Sequence, residues 1–124
     1  MRGRFGCDAC AVSLRCLIVD DNPRFLEAAR ALLERDGLHV VVASSSAEAF
    51  EHVQRFQLDV VLVDIDLGEE SGFELTKGLA GVHVILISTH AEADFEELIV
   101  ESTAAGFIPK EALSADAISA TLGR

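Results

Sequence analysis

The chain has 124 residues, half of them hydrophobic, and a formal net charge of −11 at pH 7, which fits one domain with a hydrophobic core. No apolar run approaches the roughly 18 residues of a membrane span, and the N-terminus has no apolar stretch typical of a signal peptide, so we expect a cytoplasmic protein without membrane association. So acidic a surface repels phosphate backbones, which argues against direct nucleic-acid binding and favours proteins or cations as partners.

The N-terminal segment differs from the rest of the chain. Residues 1–13 follow no strand or helix pattern, and we expect a disordered extension of a domain that spans residues 14–124. Cys7 and Cys10 have the CxxC spacing, but no second pair of ligands completes a zinc site. A redox CxxC usually opens a helix after a strand, whereas this one precedes the first strand. We therefore interpret the motif as incidental.

Beyond this segment, apolar strands alternate with amphipathic helices. Asn22 and Pro23 mark the start of the first helix, and Gly37 marks its end. Ser45 and Glu48 form a capping-box pattern that opens the second helix. The five predicted strands span residues 14–20, 39–44, 59–64, 83–89 and 106–110.

Three further helices follow the third, fourth and fifth strands. The third is short, at about residues 73–80, and comes after a glycine-containing loop. The fourth is predicted from the apolar stripe of Phe95, Leu98 and Ile99, and the fifth begins after Ser114.

The strands predict the fold class because they are apolar on both faces and are separated by helices. This pattern is typical of a parallel sheet that helices cover on two sides. Right-handed crossovers then give a doubly wound α/β sandwich with strand order 2-1-3-4-5. Ligands of such folds bind at the carboxyl ends of the strands, beside the switch between strands 1 and 3.

Carboxylates occur at that switch. The first strand ends on Asp20 and Asp21, and the third ends on Asp64. Three like charges would raise one another's pKa values and destabilise the fold unless a cation joins them. Magnesium prefers oxygen ligands and commonly combines carboxylates with a phosphate. The sequence therefore predicts a Mg²⁺ site and a phosphorylated aspartate.

The ends of two later strands supply groups that suit an anion. The fourth strand ends with Ser88 and Thr89, whose hydroxyls can donate hydrogen bonds to a phosphoryl oxygen. The fifth ends with Lys110, whose ammonium is a mobile point charge. Alone, each residue would be an ordinary cap or surface group, and only their common placement indicates a site.

These motifs resemble the receiver domain of two-component response regulators over residues 14–124. The resemblance rests on "VDD", "VLVDIDLGEESG", "LIST" and "GFIPK". It implies a flavodoxin-like (βα)5 fold with Asp64 as the phosphoacceptor and with Ser88 and Lys110 as catalytic partners. By the same resemblance, the Mg²⁺ ligands are Asp20, Asp21, Asp64 and the backbone carbonyl of Asp66.

The resemblance also implies how the signal passes on. Phosphorylation draws Ser88 toward the acyl phosphate, Phe107 turns inward, and the face of helix 4, strand 5 and helix 5 changes. Asp66 and His90 occupy positions that tune the phosphoryl lifetime. The implied partners are a sensor histidine kinase or phosphotransfer protein, a downstream protein, and a second copy of the chain at that face. Such a domain phosphorylates and dephosphorylates itself and is not a conventional enzyme.

Two segments depart from the family pattern. Family members usually have proline directly after the lysine, whereas here Pro109 precedes Lys110 and Glu111 follows. Because cis peptides are largely confined to X–Pro bonds, we expect the Lys110–Glu111 bond to be trans or unusual. The loop "DLGEES" replaces a hydrophobic–Pro–Gly run, so its shape is expected to differ.

Other readings stay open. The chain could be a degenerate receiver that binds proteins without phosphate. It ends directly after the fifth helix, so it could be a stand-alone receiver or a fragment of a longer transcriptional regulator. "DIDLG" also resembles the D-x-D motif of haloacid-dehalogenase-like phosphatases. That motif normally lies on the first strand of a larger domain, which argues against this alternative.

Overall fold

The computed structural model describes residues 14–67, 70–79, 81–89, 100, 102 and 104–123. Its main sheet contains the five strands that the sequence predicts, each within one or two residues of the expected bounds. They are β1 (Arg15–Val19), β2 (His39–Ala43), β3 (Val60–Asp64), β4 (His83–Ser88) and β5 (Gly106–Pro109). All are parallel, in the order β2-β1-β3-β4-β5, so the predicted fold class and the order of this sheet are confirmed.

Alternation along the strands divides the core into two layers, because successive side chains point to opposite faces of a sheet. Cys16 and Ile18 of β1 belong to one buried cluster, and Leu17 and Val19 belong to the other. The first cluster includes residues of the first and C-terminal helices, and the second includes residues of the second and third helices. The sheet is therefore covered on both faces, as its apolar strands predict.

The helices begin where the capping residues indicate. α1 spans Pro23–Arg35 after Asn22, α2 spans Ser46–Arg55 after Ser45, and the C-terminal helix spans Ala115–Leu122 after Ser114. Each cap side chain accepts a backbone N–H of the first turn. The Glu48 carboxylate accepts hydrogen bonds from the backbone N–H and hydroxyl of Ser44 rather than from Ser45, so the capping box is shifted by one residue.

The segment after β3 contains a feature that the sequence did not predict. Residues 66–67 and 70–71 form a two-stranded antiparallel hairpin, and α3 (Gly72–Lys77) follows it directly. Both short strands belong to the "DLGEES" segment, which departs in sequence from the family pattern. The Lys110–Glu111 peptide is trans, and residues 110–112 form a short 3₁₀ helix.

Some predictions concern residues outside the described ranges. These are the extension at 1–13 with its CxxC motif, the stripe of the fourth predicted helix, and His90. In the part of the chain that the structure describes, no helix combines the length and apolarity needed to cross a bilayer.

Candidate functional site

Groups at the carboxyl ends of four parallel strands meet in one cavity of about 250 Å³. The residues that line it are Asp20, Asp21, Asn22, Asp64, Asp66, Ser88, Thr89 and Lys110. β1 and β3 are neighbours, which brings the acid pair and Asp64 together as predicted. β4 and β5 continue the same edge and bring Ser88 and Lys110 to it.

Asp20 is the fully buried member of the acid pair, and Asp21 beside it is exposed. The backbone N–H of Asp20 donates to the Ala43 carbonyl of β2 at 3.1 Å, which fixes the turn after β1. Its Oδ1 accepts the Asn22 N–H at 2.8 Å, and its Oδ2 lies 2.5 Å from the Lys110 Nζ. Asp20 is thus held on both carboxylate oxygens, whereas Asp21 faces solvent.

Asp64 is buried at the end of β3, with 5% of its surface exposed. Its Oδ1 accepts the backbone N–H of Asp66 at 3.1 Å, and its Oδ2 accepts the Lys110 ammonium at 3.1 Å. Burial raises the pKa of Asp64 to about 6, and the Asp20 charge adds to the increase, while the Asp66 N–H and Lys110 oppose it. A carboxyl with this pKa is ionised at neutral pH and poorly hydrated.

Lys110 is the cation that joins the two buried acids, and 12% of its side chain is exposed. Burial by itself lowers the pKa of Lys110, but the hydrogen bonds to Asp20 and Asp64 outweigh burial, so the pKa lies above its ordinary value. The ammonium therefore stays charged and bridges the carboxylates.

The three aspartates form a group that could hold a metal ion. Ligand oxygens of Asp20, Asp21 and Asp64 all lie within 4.8 Å of one another. Hard cations such as Mg²⁺ take carboxylate oxygens of this kind. Since Asp21 is exposed and the cavity is open to solvent, an ion there could keep several of its waters.

Sequence reasoning missed one aromatic contact at the site. The Lys110 Nζ lies 4.4 Å from the ring centroid of Phe25, in the first turn of α1. Phe25 lies on the apolar face of α1, and such a position by itself indicates only core packing. The available signal was that Ile108 of β5 belongs to the same core cluster as α1, which brings the end of β5 near that helix.

The proposed switch residues have different surroundings. Ser88 is 1% exposed at the end of β4, with Thr89 exposed beside it. Phe107 is half-buried on β5, pairs in register with Leu86, and packs against the second core cluster. Its ring is therefore neither fully buried nor fully exposed.

Gly72 lies against the backbone of the acceptor aspartate. A Cβ added at this position would be 2.1 Å from the Asp64 carbonyl oxygen and 2.8 Å from the Ile65 Cα. The Gly72 N–H donates to the Ile65 carbonyl at 2.9 Å, so this approach closes the hairpin. Both obstacles are backbone atoms, so a side chain here can be accommodated only if the loop or Asp64 moves.

We therefore expect Gly72→Ala to lower the free energy of unfolding by about 2 kcal/mol or more through overpacking. It should also weaken binding of a divalent cation by the three aspartates, measured by calorimetry with Mg²⁺, because the backbone of Asp64 is one of the two obstacles. Gly37→Ala is the control, since Gly37 has open space around it and a φ of 95°. That variant should lose about 1 kcal/mol from backbone strain alone, with unchanged Mg²⁺ affinity. Equal effects of the two substitutions would contradict this role of Gly72.

Comparison with known proteins agrees with this architecture. The family profile described as response regulator receiver domain matches residues 16–122. The heme response regulator HssR of Staphylococcus saprophyticus is 36% identical over 92 residues, which cover 71% of this chain and 41% of HssR. The chain thus spans less than half the length of this curated relative.

Solved structures share the fold over nearly the whole chain. A response regulator receiver protein from Burkholderia phymatum aligns with a TM-score of 0.78 at 25% identity, covering 90% of this chain and 96% of that one. A response regulator from Burkholderia pseudomallei, with a phosphorylated aspartic acid, calcium ion and citrate, aligns with a TM-score of 0.75 at 23% identity. It covers 88% of this chain and 66% of its own.

These matches decide between the families that the sequence left open. The D-x-D segment of the phosphatase alternative lies on the third strand of a small five-stranded sheet, not on the first strand of a larger domain. The family match covers all the strands and described helices of the main fold. The chain belongs to the response regulator receiver domain family of two-component signalling systems.

Proposed function

We propose that this domain is a phosphorylation switch in which Asp64 accepts the phosphoryl group. The observation that carries the proposal is the joining of Asp64 to Asp20 and Lys110 in one open cavity at the switch between β1 and β3. Burial at this position raises the pKa of Asp64 and so disfavours its ionised form, which is a cost for a carboxylate with a purely structural role. A nucleophile requires an ionised, poorly hydrated oxygen that a donor can reach, and Asp64 has these properties.

Mg²⁺ is the cofactor that the acid cluster fits. Asp20, Asp21 and Asp64 would hold it with their side chains, and Asp66 with its backbone carbonyl. The Gly72 N–H bond to Ile65 makes Asp66 a non-hydrogen-bonded position of the hairpin, so its carbonyl is not used by the ladder. When bound, the ion would offset negative charge on the transferred group.

In the proposed transfer, an Asp64 carboxylate oxygen attacks the phosphorus of a phosphohistidine or a small acyl phosphate. The new bond is between this oxygen and phosphorus. The bond from phosphorus to the donor breaks, and its electron pair leaves with the imidazole or carboxylate. Lys110 then exchanges its contact with Asp64 for one with a phosphoryl oxygen, and Ser88 donates a hydrogen bond to another. The donor is a sensor histidine kinase or a phosphotransfer protein.

We propose that the surface at the β5 edge of the sheet transmits the phosphorylation signal to the next protein. β5 is an edge strand, and the half-buried Phe107 lies on it, two strands from Asp64. Movement of Ser88 would give the Phe107 ring space, changing the face of β5, the C-terminal helix and the predicted helix before β5. A downstream protein or a second copy of the chain would read this face. Relatives named as transcriptional regulatory proteins support a transcriptional output for a longer protein that contains this domain.

Asp66 is proposed to set how long the phosphoryl group lasts, together with His90. The Asp66 side chain is exposed, and its N–H donates to Asp64, so the carboxylate stands beside the path of an attacking water. Asp66→Asn should therefore change the dephosphorylation rate while leaving phosphorylation possible.

Intact mass spectrometry after incubation with acetyl phosphate tests the proposal. We expect one added phosphoryl group with Mg²⁺, none with EDTA, and none in Asp64→Asn. Asp66→Asn is the matched control, because it removes a neighbouring carboxylate and should still be phosphorylated. If the wild-type protein gains no mass and also fails to bind beryllofluoride, the chain is instead a receiver that binds its partner without phosphate.

A further inference from the structure

We propose that Phe25 is a positioning residue whose ring holds the Lys110 ammonium over the carboxylates of Asp20 and Asp64. The Nζ lies 4.4 Å from the Phe25 ring centroid, 2.5 Å from Asp20 Oδ2 and 3.1 Å from Asp64 Oδ2. A cation within about 6 Å of a ring centroid is attracted by the quadrupole of the ring. The ammonium is thus held by two carboxylates and one aromatic ring.

The turn after β1 places the ring and one of these carboxylates together. The Asn22 N–H donates to Asp20 Oδ1 at 2.8 Å. The Asn22 Oδ1 in turn accepts the N–H groups of Arg24 at 3.0 Å and Phe25 at 3.4 Å. Asn22 therefore links the acid and the aromatic residue directly, through its N–H to Asp20 and its side-chain oxygen to the Phe25 N–H.

The hydrophobic core also holds the Phe25 ring in place. Phe25 is half-buried and packs against the core cluster that contains Leu26, Ile18 and Ile108. Ile108 lies on β5 in that same core cluster, and Lys110 follows the strand directly, so the core that holds the ring also holds the chain that carries the lysine. The ring cannot move away without exposing apolar surface.

This contact would matter for phosphotransfer, and in that respect the inference rests on the proposed function. A lysine side chain has four methylene groups and loses considerable entropy when it is ordered. Phe25 orders it before a phosphoryl group arrives. The ammonium then moves only a short distance from Asp64 to a phosphoryl oxygen, and the side chain does not have to become ordered from a solvated state.

The test uses Phe25→Leu, which keeps an apolar side chain in the core, and Phe25→Tyr, which keeps the ring. In the wild-type protein the Lys110 Cε protons should be shifted upfield by the ring current in NMR spectra. The shift should disappear in Phe25→Leu and remain in Phe25→Tyr. Phe50→Leu is the control, because Phe50 is an exposed ring on α2 that packs over Gly78. It should leave the Lys110 shift unchanged.

The rate of phosphorylation by saturating acetyl phosphate should fall roughly three- to thirtyfold in Phe25→Leu and recover in Phe25→Tyr, as expected for a partly desolvated cation–π contact. An unshifted Lys110 signal in the wild-type protein overturns the inference. A signal that Phe25→Leu removes without slowing phosphorylation also overturns it. If the wild-type protein takes no phosphoryl group, the proposed function has failed, and the NMR signal alone decides whether Phe25 holds the lysine.

Discussion

Lys110→Met should lower the free energy of unfolding by about 3–5 kcal/mol at pH 8 in EDTA, because it leaves two buried carboxylates without their cation. Asp20 is fully buried and Asp64 nearly so, and both carboxylates contact the same ammonium. Methionine has a similar length and replaces the apolar stem, so the loss comes mainly from the charge. The measurement is urea denaturation of both proteins under identical conditions.

Three comparisons make this result specific. Lys77→Met removes a lysine whose partner Glu74 is exposed, and it should change stability by less than about 0.5 kcal/mol. Lys110→Arg keeps the charge, so its free energy of unfolding should fall much less than that of Lys110→Met. Millimolar Mg²⁺ should recover part of the loss, since it supplies another cation to the same acids. Lys110→Met with wild-type stability in EDTA would contradict the ion-pair geometry.

Asp64→Asn should have the opposite effect and stabilise the metal-free protein by about 2 kcal/mol at pH 8. Its pKa rises from the ordinary 3.8 to about 6 mainly because it is buried, so its ionised form is disfavoured in the folded state. Each unit of such a shift corresponds to about 1.4 kcal/mol, and the pKa of about 6 already includes the opposing Lys110 contact, so the value of about 2 kcal/mol allows for solvent screening in the open cavity. Equilibrium unfolding in EDTA measures the difference.

The pH dependence of the stability difference between Asp64→Asn and the wild-type protein distinguishes the loss of a buried charge from general repacking. The folded protein binds the Asp64 proton more tightly than the unfolded chain does. Protonation of Asp64 therefore contributes fully to the free energy of unfolding below about pH 4, and this contribution is lost as the pH rises through about 6. The advantage of Asp64→Asn should therefore grow between pH 4 and 7 and stay constant above. An Asp64→Asn advantage that is equal at pH 4 and pH 8 would contradict the buried-carboxylate account.

The sequence predicted the sheet well because each local signal agreed with the others. Runs that are apolar on both faces, such as that of β3, can only be strands of a covered parallel sheet. Asn22, Ser45 and Ser114 then set where helices begin, because their side chains satisfy the first-turn N–H groups. Strand order followed from the topology rules for such sheets.

The rule that ligands bind at the carboxyl ends of parallel strands also predicts the site, because it brings Asp20, Asp64 and Lys110 to the same edge of the sheet, where they line one cavity. Contacts that depend on the exact path of a loop or on the rotation of a helix could not be predicted from the sequence. The hairpin after β3 depends on the absence of a Cβ at Gly72, next to the Asp64 carbonyl. The Phe25 ring contacts Lys110 from the first turn of α1, where the Asn22 cap accepts the Phe25 N–H, and this contact depends on how the helix is rotated against the core.

The central claim is that Asp64 carries the phosphoryl group. It is tested most directly by borohydride reduction of the phosphorylated protein, followed by peptide mass spectrometry. Reduction converts an aspartyl phosphate to homoserine and so marks the acceptor position. We predict homoserine at position 64 alone, and only when Mg²⁺ was present during phosphorylation. Homoserine at position 20, 21 or 66, or at no position, would contradict the account.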